Sequence, residues 1–368
     1  MPLAFDEQQC LLKEQVHSLC QHQADADRLR QLITDKVPWS QDLWQAMAAL
    51  GLQAAAVPED LGGVGLGIKD LCAIQEELGR AVAPVPFFSS ACMATEAIKF
   101  AASAEQKQRW LPKLASGEKT ATLAHASRAG APQDAGHGVS VNGGSLTGVK
   151  SPVPDLPVAD WLLVVASDSR EPVIAFVDLE AAALETERLT GFDELRHHGS
   201  VAFHDTPCEF LEGGRGEQTI LELFSRFAVL VAFEQLGGSE ACMSMARDYT
   251  MQRYIFARPL ASYQAVKHNL ADILAMLEIN RSNALYAASC IEANSDDRFE
   301  AAAMARVGAT ELYEHAAREN LQLHGGIGFT WEADCHFHYR RARLLSQSLG
   351  APSAWHRILL NELRGKAA

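Results

Sequence analysis

The 368-residue sequence has no apolar run close to the roughly 20 residues that a membrane-crossing helix requires, so no span is predicted. It also lacks a Pro/Ser-rich linker or low-complexity run that would divide it into independent units. Positive charge is in short supply: the formal net charge is −14, whereas neutralising phosphates needs a concentrated Lys/Arg surface, which argues against a nucleic-acid partner. The N-terminus, Met1-Pro2-Leu3-Ala4-Phe5-Asp6-Glu7, has neither the basic start nor the apolar core of a secretory signal, and a cytoplasmic location is expected. The eight cysteines include no Cys-x-x-Cys pair and no regular spacing, so they are read as reduced thiols and not as a disulfide framework or zinc site. His324, Asp334, Cys335, His336 and His338 fit no common ligand spacing, and no metal is expected there.

What is present is ample core. A hydrophobic fraction of 48% with 21% charged residues describes a globular chain of packed layers. From Asp6 to about Ala115 apolar residues recur at spacings of three and four, as in Leu43, Met47 and Leu50 or Leu71, Ile74 and Leu78, which predicts helices. The glycine-rich insert from Val57 to Gly67 is neither preceded by a clear strand nor spaced as a dinucleotide fingerprint, and is read as a loop. Between Lys119 and Leu211 the pattern changes to short β-type runs, at Thr120 to Ala124, Val139 to Val141, Trp161 to Ala166, Val173 to Val177 and Ser200 to Phe203. Helical periodicity returns from Glu217, with long segments from Leu221 to Met251, Tyr263 to Ala293 and Phe299 to His324. Three domains follow: helical over 1–118, β over 119–212 and helical over 213–368, an α+β chain that is mainly α.

Several segments then carry a family likeness. Leu321-Gln322-Leu323-His324-Gly325-Gly326-Ile327-Gly328-Phe329-Thr330-Trp331-Glu332, Arg253-Tyr254-Ile255-Phe256 and Tyr263-Gln264 resemble the flavin-binding C-terminal half of acyl-CoA dehydrogenases. Val57 to Gly63, Glu76 to Arg80, Leu146 to Lys150 and Gln264 to Asp272 add to the resemblance in the family's order. The resemblance implies an N-terminal helical domain, a middle β-barrel or sandwich domain and a C-terminal four-helix bundle. It also implies FAD as cofactor, an acyl-CoA substrate and an electron-transfer acceptor.

By that resemblance Arg253 and Phe256 reach across a dimer interface to the pyrophosphate of a neighbouring subunit's flavin, and Gln264, Gln322, Gly325 and Gly326 fall at positions of the same kind. The residue types suit the task. A guanidinium neutralises a pyrophosphate, and backbone without Cβ can approach a phosphate or ribose closely. A helix C-cap is the structural alternative for the glycine pair. The glycine usual after the phenylalanine is here Ala257.

The half of the site that would hold the isoalloxazine ring departs from the family. Leu123 to Gly130 stands where a Thr-Glu-Pro type segment is usual, and Ser151-Pro152-Val153-Pro154 replaces a Trp-Ile-Thr-Asn type stretch. The family reaction needs a carboxylate near the acyl α-carbon, in a dry site that raises its pKa, while the β-hydrogen leaves as hydride to flavin. The two family positions for that base are here Leu349 and Phe227, with Ala351 replacing the neighbouring threonine. The nearest carboxylate on the same helix as Phe227 is Glu234, about two turns on, which is either a base or a packed, ion-paired acid.

A present binding half and a missing reacting group are reconciled if two unlike chains share one site. This resembles the paired acyl-CoA dehydrogenases of steroid side-chain breakdown, with two copies of each of two chains and flavin at the unlike interfaces only. The alternatives left open are a non-catalytic structural or regulatory subunit and a self-sufficient homomeric dehydrogenase using Glu234.

Overall fold

The computed structural model describes residues 4–127, 130–169, 171–180 and 184–367. Its N-terminal part is helical: α1 (Glu7–Gln23), α2 (Ala26–Asp35), α3 (Gln41–Ala49), α4 (Ile68–Arg80), α5 (Thr95–Ala101) and α6 (Ala104–Ala115). Local chemistry sets the helix starts. Asp6 accepts from the Gln9 backbone while the Gln9 side chain returns to Asp6, and Ser103 and Gln106 form the same reciprocal box ahead of α6, satisfying donors that a first turn leaves orphaned. The Val57–Gly67 insert is a loop containing a short 3₁₀ turn, Glu59–Leu61. Immediately before α5, Phe88–Ala94 forms a π-helical turn, a rare geometry that often marks a functional site.

Eight strands follow: β1 (Ala121–Ala124), β2 (Val139–Asn142), β3 (Ser145–Pro154), β4 (Trp161–Asp168), β5 (Glu171–Asp178), β6 (Leu184–Leu189), β7 (His198–Pro207) and β8 (Glu209–Arg215). They order as β6-β7-β3-β2-β4-β5-β8, with β1 parallel to β4 off that path. Among the described residues no strand pairs beyond β6 or β8, so the sheet is open and, of the barrel or sandwich expected, a closed barrel is not formed. Leu146, Val164, Val201 and Phe203 fill a core of its own.

The C-terminal part is built on α7 (Glu217–Gln252), α8 (Gln264–Glu292) and α9 (Arg298–His324), followed by α10 (Cys335–Gln347) and α11 (Pro352–Ala367), with a small hairpin of β9 (Tyr254–Ile255) and β10 (Arg258–Pro259) after α7. One apolar core runs from the N-terminal helices into this bundle, through Leu71, Ile74, Phe227, Leu236 and Leu312. Helices α4 and α7 approach each other closely. A Cβ on Gly79 would lie 2.0 Å from the Glu234 carbonyl oxygen, and one on Gly237 would lie 1.8 Å from that of Glu76, so each helix rests on the other's glycine. Among the described residues no helix is long and apolar enough to cross a membrane.

Candidate functional site

Short connections make α7, α8 and α9 run alternately up and down, which brings the end of α7, the start of α8 and the end of α9 to one end of the bundle. The rings of Tyr249 on α7 and His324 on α9 stack there with centroids 4.2 Å apart. Every residue that the sequence assigned to flavin is at this end. Arg253 directly follows α7, Gln264 opens α8, Gln322 lies in the last turn of α9, and Gly325 and Gly326 follow it. All five are exposed, and Phe256, at the tip of the hairpin, is 91% exposed.

The local backbone explains that presentation. Phe256 and Ala257 both adopt left-handed conformations, φ 49° and 60°, which turn the hairpin sharply and push the Phe256 ring outward. Tyr263 Oη donates to the Ile255 carbonyl at 3.0 Å, and the Arg258 guanidinium lies 3.8 Å over the Tyr263 ring. Arg258 is therefore engaged, whereas Arg253 has no carboxylate within ion-pair distance among the described residues. Gly325 is also left-handed, φ 66°, and a Cβ on either Gly325 or Gly326 would meet open space. Nothing in the chain itself needs the missing Cβ of Gly326. These groups fit a pyrophosphate: an unpaired guanidinium, two glycine backbones and two free carboxamides, all facing outward.

The other half of the expected site lies elsewhere, between the sheet, the π-helical turn and the α10–α11 connection. There Phe88, Met93, His125, Ala126, Gly130, Pro152, Pro154, Asp155, Arg196, His198, Leu344 and the Gln347–Leu349 turn with Ala351 enclose about 180 Å³. Ligand cavities are usually about 300–1,000 Å³, so this space is small for a dinucleotide's ring system together with a thioester. Leu349, at one of the family's base positions, is buried against it with φ 59°, and its carbonyl accepts from Trp355 Nε1 at 2.9 Å. Phe227, at the other, is fully buried in the α7 core. In the Leu123–Gly130 segment, Arg128 and Ala129 lie outside the described residues, while the Ser127 hydroxyl is taken up by the His137 carbonyl. His125 is buried edge-on to Phe224, and burial pulls its imidazole down to about 4. A larger cavity of about 550 Å³, bounded by Ile220, Leu221 and Ile358, includes none of the residues singled out in the sequence.

Glu234 is fully enclosed. Arg196 Nη1 lies 3.0 Å from its Oε1, Arg341 Nη1 donates to Oε1 at 3.2 Å, and the Gln75 carboxamide donates to Oε2 at 3.2 Å. Arg341 also pairs with Asp193 at 2.5 Å. Two guanidiniums and two carboxylates thus balance in a buried quartet joining α7, α10 and the β6–β7 connection. Both Glu234 oxygens are occupied, and Glu234 does not line the cavity. The geometry favours the packed, ion-paired reading over the base.

Sequence reasoning passed over one carboxylate that does line the cavity. Asp155, at the end of β3, is buried in a left-handed conformation, φ 51°, with its amide donating to the His197 carbonyl at 2.8 Å and Ser89 Oγ donating to its Oδ2 at 2.6 Å. Burial raises its carboxyl above the ordinary range, against the opposing pull of Arg196. The Pro152 and Pro154 flank hid it, because that stretch was compared only as a lost ring-binding motif. The histidines of the 324–338 segment have other neighbours: His324 stacks on Tyr249, His336 on Trp331, and His338 bonds the Tyr313 hydroxyl at 3.0 Å.

Comparison with known proteins agrees with this architecture. Residues 6–118 match the acyl-CoA dehydrogenase N-terminal domain and residues 214–360 the acyl-CoA dehydrogenase C-terminal domain. The acyl-CoA dehydrogenase IpdE2 of Mycobacterium tuberculosis is 28% identical over 361 residues, covering 97% of this chain and 98% of that protein. Among solved structures, a variant of the Tcur3481–Tcur3483 steroid ACAD superposes with a TM-score of 0.89 at 29% identity, covering 98% and 99% of the two chains. The ChsE4–ChsE5 complex from Mycobacterium tuberculosis gives 0.90 at 25% identity, covering 99% of each chain. A glutaryl-CoA dehydrogenase from Mycobacterium smegmatis in complex with FADH2 shares the fold at 18% identity, with a TM-score of 0.90 and 99% and 96% coverage. The two matched domains and the superposed architecture establish that the chain belongs to the acyl-CoA dehydrogenase family.

Proposed function

We propose that this chain is one subunit of an FAD-dependent acyl-CoA dehydrogenase that works with a second, dehydrogenase-like chain and lends part of the flavin site to it. The observation that carries the reading is the separation of the two halves. Arg253, Phe256, Gln264, Gln322, Gly325 and Gly326 converge, exposed and unpaired, at one end of the bundle, whereas the inner cavity is small and has Leu349 where the base is expected. Exposed groups that satisfy nothing within their own chain suit a site completed by a neighbour.

When bound, FAD supplies the hydride acceptor for α,β-dehydrogenation of an acyl-CoA thioester. This chain's part is positional and electrostatic. Arg253 offsets pyrophosphate charge, the Gly325-Gly326 backbone allows close approach, Gln264 and Gln322 offer hydrogen bonds, and Phe256 covers the cofactor from water. The partner supplies the ring contacts and the base, and an electron-transfer acceptor reoxidises the complex. The names of the similar proteins, a steroid ACAD and a two-chain complex, support a second chain and a steroid or lipid acyl group, and two copies of each chain is what the family resemblance implies.

The test is reconstitution with a candidate partner chain, followed by Arg253→Ala. The proposal expects flavin and turnover only in the mixed complex, and at least a tenfold weaker hold on flavin in the variant, in line with a charge-assisted bond of about 1.5–3 kcal/mol. A stable complex whose flavin content ignores Arg253→Ala would instead favour a purely structural subunit.

A further inference from the structure

The inner cavity remains to be explained in its own right. Its walls are mainly apolar, but two polar side chains among them, Arg196 and Asp155, are both buried and incompletely bonded. Arg196 is 8% exposed; its Nη1 is committed to Glu234, while its Nε and Nη2 donate to nothing among the described residues. Asp155 is 7% exposed; Oδ2 accepts from Ser89, while Oδ1 accepts from nothing among the described residues. Both residues line the cavity. The Asp155 amide bond to His197 and the pairing of Pro154 with His198 fix these two side chains on adjoining strands.

An occupant that covered these groups without bonding them would forfeit about 1–3 kcal/mol for each, more when charged, so an apolar occupant is disfavoured. The unpartnered guanidinium edge of Arg196, and not net charge, narrows the choice. Arg196, Arg341, Asp193 and Glu234 balance among themselves, and Asp155, beside them, has no ion pair among the described residues. A guanidinium edge prefers an oxyanion with which it can share two hydrogen bonds. An oxyanion beside Asp155 favours the protonated carboxyl, which then donates instead of repelling. The partly open cavity, about 180 Å³, suits a molecule of a few carbons.

We propose that the inner cavity is a binding site for a small carboxylate, held by Arg196 and by the protonated carboxyl of Asp155, with room for a hydroxyl that bonds the same side chains. The site belongs to this chain alone and does not depend on the shared-flavin reading. The groups facing Asp155 are Ser89 from the π-helical turn, Arg196, His197 and His198 from the segment running into β7, and Arg341 from α10; His125 faces the cavity from the end of β1. Burial raises the Asp155 carboxyl and holds His125 and His198 neutral near and above neutrality, each imidazole drawn down to about 4. Protonation of Asp155 is then the step that a bound anion assists.

The experiment is calorimetric titration of the full chain, without partner, using 3-hydroxybutyrate, butyrate and 1,3-butanediol at about pH 5.5 and about pH 8. The proposal expects both carboxylates to bind at least tenfold tighter than the diol, and more tightly at the lower pH. Asp155→Asn, which keeps a neutral donor in place, should retain binding and lose the pH dependence, whereas Arg196→Met should abolish binding. Since Arg196→Met removes a partner of Glu234 and can fail to fold, Asp155→Asn is the deciding variant. No carboxylate binding, equal binding of the diol, or an unchanged pH dependence in Asp155→Asn would each overturn the site. So would FAD binding to the lone chain in competition with the carboxylate, which would make the cavity a ring pocket.

Discussion

Arg196 Nη1 sits 3.0 Å from Glu234 Oε1, both side chains buried, and this single contact decides how the most tempting carboxylate of the sequence is used. A carboxylate held by two guanidiniums and a carboxamide is a clamp between α7, α10 and the β6–β7 connection. Removing one member of such a group leaves uncompensated buried charge, which typically costs about 3–5 kcal/mol. Glu234→Ala is expected to lower stability by that amount in a denaturant titration, with turnover of the folded complex retained. Full stability with lost turnover would return Glu234 to the role of base.

The α4–α7 contact gives a second expectation. Gly237→Ala drives a methyl into the Glu76 carbonyl region, where the built Cβ lies at 1.8 Å and backbone cannot give way cheaply. A loss of about 3 kcal/mol or more is expected, at the upper end for overpacked cores. Unfolding midpoints of Gly237→Ala and Gly237→Ser that match the parent would show that the helices can separate.

Ala257 is held left-handed at φ 60°, a conformation costing an L-residue about 1–2 kcal/mol that glycine does not incur. Some of that gain is lost to the greater freedom of glycine in the unfolded chain. Ala257→Gly should therefore raise stability by roughly 0.5–1 kcal/mol. A thermal midpoint below that of the parent would contradict the strained turn.

Acid should weaken the fold through its buried histidines. Burial draws His125 down to about 4 and His338 to about 3, against 6.5 for the free imidazole. The unfolded chain therefore binds more protons than the folded one below about pH 6.5, and stability falls as pH drops from there toward 4. Each histidine costs on the order of 3 kcal/mol across that window. His338→Phe, which keeps the ring volume, should flatten part of the slope in denaturant titrations between about pH 7 and about pH 4.5. An equal slope in the variant would remove His338 from the account.

The long helices were legible because their apolar spacing is dense: the segments read at 221–251, 263–293 and 299–324 lie within one or two residues of α8 and α9 and inside α7. Three strands of the main sheet were not. β6 is an edge strand of half-exposed and exposed residues carrying Glu185 and Glu187, so it has no apolar alternation to read. β3 is broken by Gly148, Pro152 and Pro154 and shifts register twice against β7, and β8 contains Gly213 and Gly214. At the candidate site, Arg253 and the Gly325-Gly326 pair were singled out through the family resemblance, and their residue types suit a phosphate. Asp155 and the Arg196–Glu234 clamp were not visible, because they depend on which strand connection meets which helix, and no local spacing encodes that.

The central claim is that the flavin contacts of this chain serve a neighbour. The measurement that tests it most directly is the visible spectrum and flavin-to-protein ratio of the chain purified alone and again after complex formation with a dehydrogenase-like partner. The account expects a folded, colourless chain by itself and a yellow, active complex holding one flavin per pair of unlike chains. A lone chain carrying close to one flavin per subunit would contradict it.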